Sequence, residues 1–127
     1  MKFARWVFLV AGGIGLLMLL PFYGLEARIG RDLPPPITHP EYYYGFTGVA
    51  VAWQVAFLVI GSDPARFRPL MLVGVIEKLS FGVPTLALFA LGRVAPPVVA
   101  AALFDLTLGV LFVMAYRATG GPRGEAG

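Results

Sequence analysis

The chain has 127 residues and a net charge of +3; 58% of its residues are hydrophobic, only 13% are charged, and its mean hydropathy is +0.80. The charged share is about half that of a soluble domain. A soluble core of this length cannot hide so much apolar surface, and a disordered chain would be far more polar. Composition therefore points to an integral membrane protein.

The chain has no cysteine, which excludes disulfides, thiolate catalysis, Cys-ligated metals and iron–sulfur clusters. The single histidine, His39, excludes bis-His haem ligation within one copy. A small and scattered positive charge gives no footprint for nucleic acid. No cofactor, metal site or catalytic residue is expected, and the bilayer itself is the expected medium.

Four apolar runs each reach the roughly 20 residues that cross a bilayer. Trp6 to Leu25 and Tyr42 to Ser62 are free of charge; Pro69 to Leu91 holds only Glu77 and Lys78, and Val94 to Tyr116 only Asp105. The predicted fold is an all-α, antiparallel up-down bundle of four transmembrane helices, over about 3–25, 42–62, 69–91 and 95–117. The first run has the basic start of a signal peptide in Lys2 and Arg5. It is nevertheless long, and Leu25-Glu26-Ala27 makes a poor cleavage site, so it reads as a retained helix.

Residues 26–41 form the predicted outer loop, with Leu33-Pro34-Pro35-Pro36 as a stiff polyproline connector. His39 in this loop reads as solvated. At the inner turn, Ser62-Asp63-Pro64 reads as a helix stop followed by an Asx-capped turn. Pro84 interrupts the third helix's hydrogen bonding and predicts a kink. Pro96 and Pro97 suit the start of the fourth helix, and Gly120-Gly121-Pro122 its end.

Lys2, Arg5, Arg66, Arg68, Arg117 and Arg123 fall on one side; Arg28, Arg31 and Arg93 fall on the other. This bias places both termini in the cytoplasm, across the inner membrane. Arg66 and Arg68 are the expected cytoplasmic headgroup contacts. Tyr42, Tyr43 and Tyr44 form an aromatic belt at the outer interface.

Four polar side chains inside the spans form the candidate site. A charge in hydrocarbon costs about 2.5–3.5 kcal/mol or more, so it faces the bundle or a cavity. At 1.5 Å per residue, Glu77 lies about 12 Å from the inner end, Lys78 slightly deeper, Gln54 about 13 Å and Asp105 about 18 Å. Three helices thus contribute to one polar layer. Neighbours on a helix are about 100° apart, so Glu77 and Lys78 are expected to point at different places. The layer serves either as a network that fixes packing or as a site for a proton or a ligand. Small residues surround it: Ala101, Ala102 and Gly109 beside Asp105, Gly74 and Gly82 beside Lys78, Ala50 and Gly61 near Gln54, and the pair Ala11 and Gly15 on the first helix.

The run Asp63-Pro64-Ala65-Arg66-Phe67-Arg68-Pro69 entering a helix with Glu77-Lys78, and Asp105-Leu106-Thr107-Leu108-Gly109-Val110-Leu111-Phe112 in the last helix, resemble the DoxX-like group of small bacterial membrane proteins. The resemblance covers the chain from the second helix onward. It implies four helices and, for some members, a role as accessory subunits of membrane redox systems; it carries over no catalytic residue. The small multidrug exporters share the size, but their hallmark glutamate in the first helix has no counterpart between Trp6 and Leu25.

The expected function is that of a non-catalytic accessory or assembly component acting through membrane partners, either another protein or a second copy. The alternative is a small transporter or a binder of a lipophilic ligand or proton, using Gln54, Glu77, Lys78 and Asp105. The charge bias generates a direct prediction: a reporter fused after Gly127 is active only in the cytoplasm. A reporter active outside the cell would invert the topology.

Overall fold

The computed structural model describes residues 2–33 and 35–120. Its helices are α1 (Lys2–Leu19), α2 (Glu26–Asp32), α3 (Pro40–Ser62), α4 (Arg68–Ala90) and α5 (Pro96–Ala118), with a 3-10 segment, Leu20–Gly24, extending α1. No strand occurs among the described residues. Four helical stretches, 2–24, 40–62, 68–90 and 96–118, are long and apolar enough to cross a membrane. The expected all-α four-helix bundle is therefore the observed one, with boundaries within a few residues. Pro34 and residues 121–127 lie outside the description, and with them part of the polyproline segment, Arg123 and the predicted stop at Gly121-Pro122.

Prolines set the helix starts. Each of α3, α4 and α5 carries proline in its first two positions, where the missing N–H has no helical partner to lose. Asp63 caps the turn before α4 as expected, its Oδ1 accepting the backbone N–H of Arg66 at 3.3 Å. Helix α4 runs unbroken through Pro84. It ends in a Schellman motif: Gly92 adopts φ +70°, its N–H donates to the Phe89 carbonyl, and that of Arg93 donates to the Leu88 carbonyl. Only glycine takes that backbone conformation without strain.

Close approaches give the topology. Leu9 lies against Gly61, Leu58 against Gly12 and Gln54 against Gly15, so positions rise along α1 as they fall along α3. Between α4 and α5, Phe112 lies against Gly74 and Leu106 against Gly82. Both pairs are antiparallel and glycine-seamed. On α1 the working pair is Gly12 and Gly15, rather than the expected Ala11 and Gly15; Ala11 instead enters the core. On α5, Ala102 and Gly109 are buried, while Ala101 faces out. Spacing alone put all three on one face, but Ala101 stands a third of a turn from its neighbour.

The two pairs meet around three fully buried phenylalanines. The rings of Phe8 and Phe112 stack at 4.2 Å, and Phe57 meets Phe112 edge-on at 4.9 Å. Met71 of α4 and Ile60 of α3 complete this core. Arg68 closes the bundle end nearby. It donates through Nε and Nη2 to the Tyr116 carbonyl at 3.1 and 3.0 Å, and through Nε to Thr119 Oγ1 at 3.2 Å. Its guanidinium lies 3.6 Å from the Tyr116 ring centre. A cation thus sits at the carbonyl end of α5, where the helix dipole favours it.

The opposite end differs from expectation. The segment 26–41, expected as an outer loop, is not loop throughout, because Glu26–Asp32 forms helix α2. Glu26 opens it and Arg31 closes it, matching the dipole, and Arg28 pairs with Asp32 one turn on at 3.5 Å. Of the three belt tyrosines, only Tyr42 is exposed. Tyr43 donates its hydroxyl to the Phe22 carbonyl at 2.6 Å, and Tyr44 stacks with Tyr23. Two of the three belt residues therefore tie α3 to the end of α1.

The glycine seams generate a stability prediction. A Cβ at Gly82 would stand 2.6 Å from Leu106, while one at Gly13 would meet nothing. Gly82→Leu is expected to lower stability by about 1–3 kcal/mol through overpacking, whereas Gly13→Ala leaves it equal or slightly higher. Unfolding of the purified variants in detergent checks both.

Candidate functional site

Lys78 is the most deeply buried charge in the bundle, with 4% of its side chain exposed. Helix α4 points it at α5, and Gly109 opposite leaves room for its stem, whose Cβ lies 3.4 Å from where a Gly109 Cβ would stand. Its Nζ donates a hydrogen bond to Asp105 Oδ1 at 3.3 Å. The same Nζ lies 3.4 Å from Glu77 Oε2 and 5.1 Å from the centre of the Phe57 ring. One ammonium is therefore shared by two carboxylates and faced by an aromatic π surface, an arrangement that attracts cations.

The structure brings together Glu77, Lys78 and Asp105, as the depth argument anticipated. It corrects the expectation that Glu77 and Lys78 diverge. Their Cα–Cβ bonds do leave the helix in different directions, but both stems are long and rotatable, and the charged ends bend back to meet. Gln54 is not part of this contact. Its Nε2 donates to the Ala50 carbonyl of its own helix at 3.0 Å, and its side chain lies against Gly15 of α1. Its Oε1 is buried without a hydrogen-bond partner. Depth placed Gln54 in the right layer, but rotation about the α3 axis turns it to a different neighbour.

Two carboxyl groups flank one ammonium. Asp105 holds the hydrogen bond from Lys78, whereas Glu77 Oε2 has no hydrogen-bond partner. Glu77 also lines a groove of about 240 Å³ between α3 and α4. These consecutive helices make little contact except at two points. Phe57 packs at Gly74 on one side of the groove, and the Phe46 and Phe81 rings stand 6.4 Å apart on the other. Between these closures, Val49, Ala50 and Trp53 of α3 face Val73, Ile76, Glu77 and Ser80 of α4. The Ser80 hydroxyl is engaged, donating to the Glu77 carbonyl at 2.6 Å.

This groove was not visible in the sequence. Its walls are Val, Ala, Ile and aromatic residues like those of every other helix face. Of the two expected headgroup contacts, Arg66 is exposed and lies 5.3 Å from the Phe67 ring centre. Arg68 is half-buried, with its donors turned to α5. His39 stays exposed beside Glu41, Nδ1 to Oε1 at 3.1 Å. Among the described residues, no group of three or more His, Cys, Asp or Glu could hold a metal ion. A second, more polar hollow of about 450 Å³ lies between α2 and the start of α3, lined by residues including Tyr23, Glu26, Arg31 and Tyr44.

Comparison of the chain with models of protein families, with curated proteins and with solved structures finds no match. The DoxX-like resemblance accordingly rests on the quoted residues alone.

Shared neutralisation generates a graded prediction. Lys78→Met leaves two carboxylates unpaired and is expected to destabilise by about 3 kcal/mol or more, because the loss of one partner strands a buried charge. The triple variant Glu77→Gln, Lys78→Met, Asp105→Asn carries no stranded charge and is expected to regain most of that loss. Thermal unfolding in detergent checks the order. Equal stability of Lys78→Met and the unsubstituted protein would remove the shared ammonium from the account.

Proposed function

We propose that this chain is a multi-pass protein of the inner membrane, with both termini cytoplasmic, and that it binds a lipophilic small molecule in the α3/α4 groove without transforming it. The topology draws on the distribution of arginine and lysine. In an antiparallel bundle the start of α1, the α3–α4 turn and the end of α5 share one end, which gathers Lys2, Arg5, Arg66, Arg68 and Arg117. Arg28, Arg31 and Arg93 belong to the other end.

One observation carries the binding reading: an apolar groove open to the outer face of the bundle with a single carboxylate, Glu77, in its wall. Ligand sites are usually concave and apolar, with few polar groups that fix orientation. In a bilayer such a groove opens sideways to the acyl chains, so a molecule dissolved in the membrane reaches it without crossing water. Beside the glutamate, Lys78 and Asp105 are engaged with each other and the Ser80 hydroxyl donates to the Glu77 backbone carbonyl, which favours holding over chemistry.

The accessory reading would use the same outer faces. Those faces are apolar all round, and the bilayer covers them equally well. No particular contact favours a protein partner over lipid.

Native mass spectrometry of the protein released gently from its own membrane tests the proposal. The expected spectrum shows a retained small molecule on the unsubstituted chain and on Val110→Trp, a bulky change on the exposed face of α5. The molecule is lost from Ser80→Trp, which fills the groove. A second polypeptide in fixed ratio, with no small molecule, would overturn the proposal in favour of the accessory role.

A further inference from the structure

We infer that the occupant of the α3/α4 groove is an amphiphile with a cationic ammonium head, seated against Glu77, and a short apolar tail. The inference rests on the proposed binding function and names its ligand class.

Three features fix the sign of the head. Glu77, Lys78 and Asp105 set two carboxyl groups against one ammonium. Lys78 donates its hydrogen bond to Asp105 and meets Glu77 through the buried Oε2 at 3.4 Å, so Oε1 is the Glu77 oxygen left for a second donor. Glu77 is the member of the three that lines the groove. An anionic head would meet a carboxylate, and a neutral head would bring no counter-charge to it. An ammonium supplies both a second positive charge and N–H donors to Oε1. Phe46, Trp53 and Phe81 add aromatic surface around the head, and such surface favours cations over neutral groups.

Two other occupants fit less well. A bare metal ion needs several oxygen or nitrogen ligands, and the groove offers one carboxylate among apolar side chains. A partner's transmembrane helix needs about 30 Å of track. The groove is closed at Gly74 and again at Phe81, a stretch of about 10 Å along α4. That length suits an ammonium head with a short alkyl or aryl tail.

The test uses the full-length chain in nanodiscs of zwitterionic phosphatidylcholine, with Trp6→Phe so that Trp53, in the groove wall, is the sole tryptophan. Hexylamine, 1-hexanol and hexanoate are titrated while Trp53 emission is read. The expected result is half-saturation by the amine at a concentration about 10-fold or more below that of the alcohol, as for a charge-assisted hydrogen bond, and no response to hexanoate. Glu77→Gln, which leaves the Lys78–Asp105 pair neutral and intact, should erase the preference. Glu77→Asp should keep part of it.

If amine and alcohol respond alike, with or without Glu77→Gln, the inference falls while the groove remains a binding site. If no probe moves Trp53 emission, both the inference and the binding function fail. Ser80→Phe adds a check that fills the groove and leaves the three charges and the sole tryptophan untouched; a preference for amine that persists in it would place the amine elsewhere and overturn the inference.

Discussion

An ammonium in the interior of an apolar bundle must find its counter-charge inside the protein, and much of this structure follows from where Lys78 finds it. Asp105 comes from α5 and Glu77 from the residue before Lys78 itself. For Lys78 to reach across, α4 and α5 must lie close. Gly74 and Gly82 on one helix and Gly109 on the other allow that approach. Phe57 covers the remaining face of the ammonium from α3. The same ring meets Phe112 and Phe8, so the charged layer and the aromatic core share a wall. A deletion of the charge would therefore be felt in both helix pairs.

Uneven pairing follows from the same chemistry. Helices α1 and α3 are seamed by Gly12, Gly15 and Gly61, and α4 and α5 by their own glycines. Between α3 and α4 no such run of small residues faces another. Bulky side chains touch there only at Phe57 and at Phe46, and space remains between. In a membrane there is no water-driven force to close that space, since acyl chains fill it as well as side chains do. The opening is thus a consequence of where small residues fall, and Glu77 lines its wall while its Oε2 reaches back to the ammonium of Lys78.

Sequence made the spans legible because length, hydropathy and the scarcity of charge all act at the scale of a whole helix. The polar layer was legible for a similar reason: at a fixed rise per residue, depth follows from position alone, and Lys78 and Asp105 do meet. Azimuth was not. The spans are apolar all round, so no amphipathic stripe says which face of α3 carries Gln54 toward α1, or that Phe8, Phe57 and Phe112 converge. Ten phenylalanines are spread along the chain, and only tertiary packing selects three. The helix cap at Gly92 and the short α2 could have been found, the first from a lone glycine after an apolar run, the second from Glu26, Arg28, Arg31 and Asp32 at helical spacing. A pairing of Lys78 with either Asp105 or Glu77 was legible, but its meeting both at once was hidden because side-chain reach, rather than backbone direction, decides it.

The most direct measurement of the central interaction uses the fact that the chain has only two lysines, Lys2 and Lys78. With lysine labelled by 15N and the carboxyl groups of Asp and Glu by 13C, magic-angle-spinning NMR in lipid isolates the buried side-chain nitrogen from the exposed one at Lys2. The account predicts an ammonium resonance for Lys78 with dipolar contacts to two carboxylates, which vanish singly in Asp105→Asn and Glu77→Gln. A neutral-amine resonance, or contact with neither carboxylate, would contradict it.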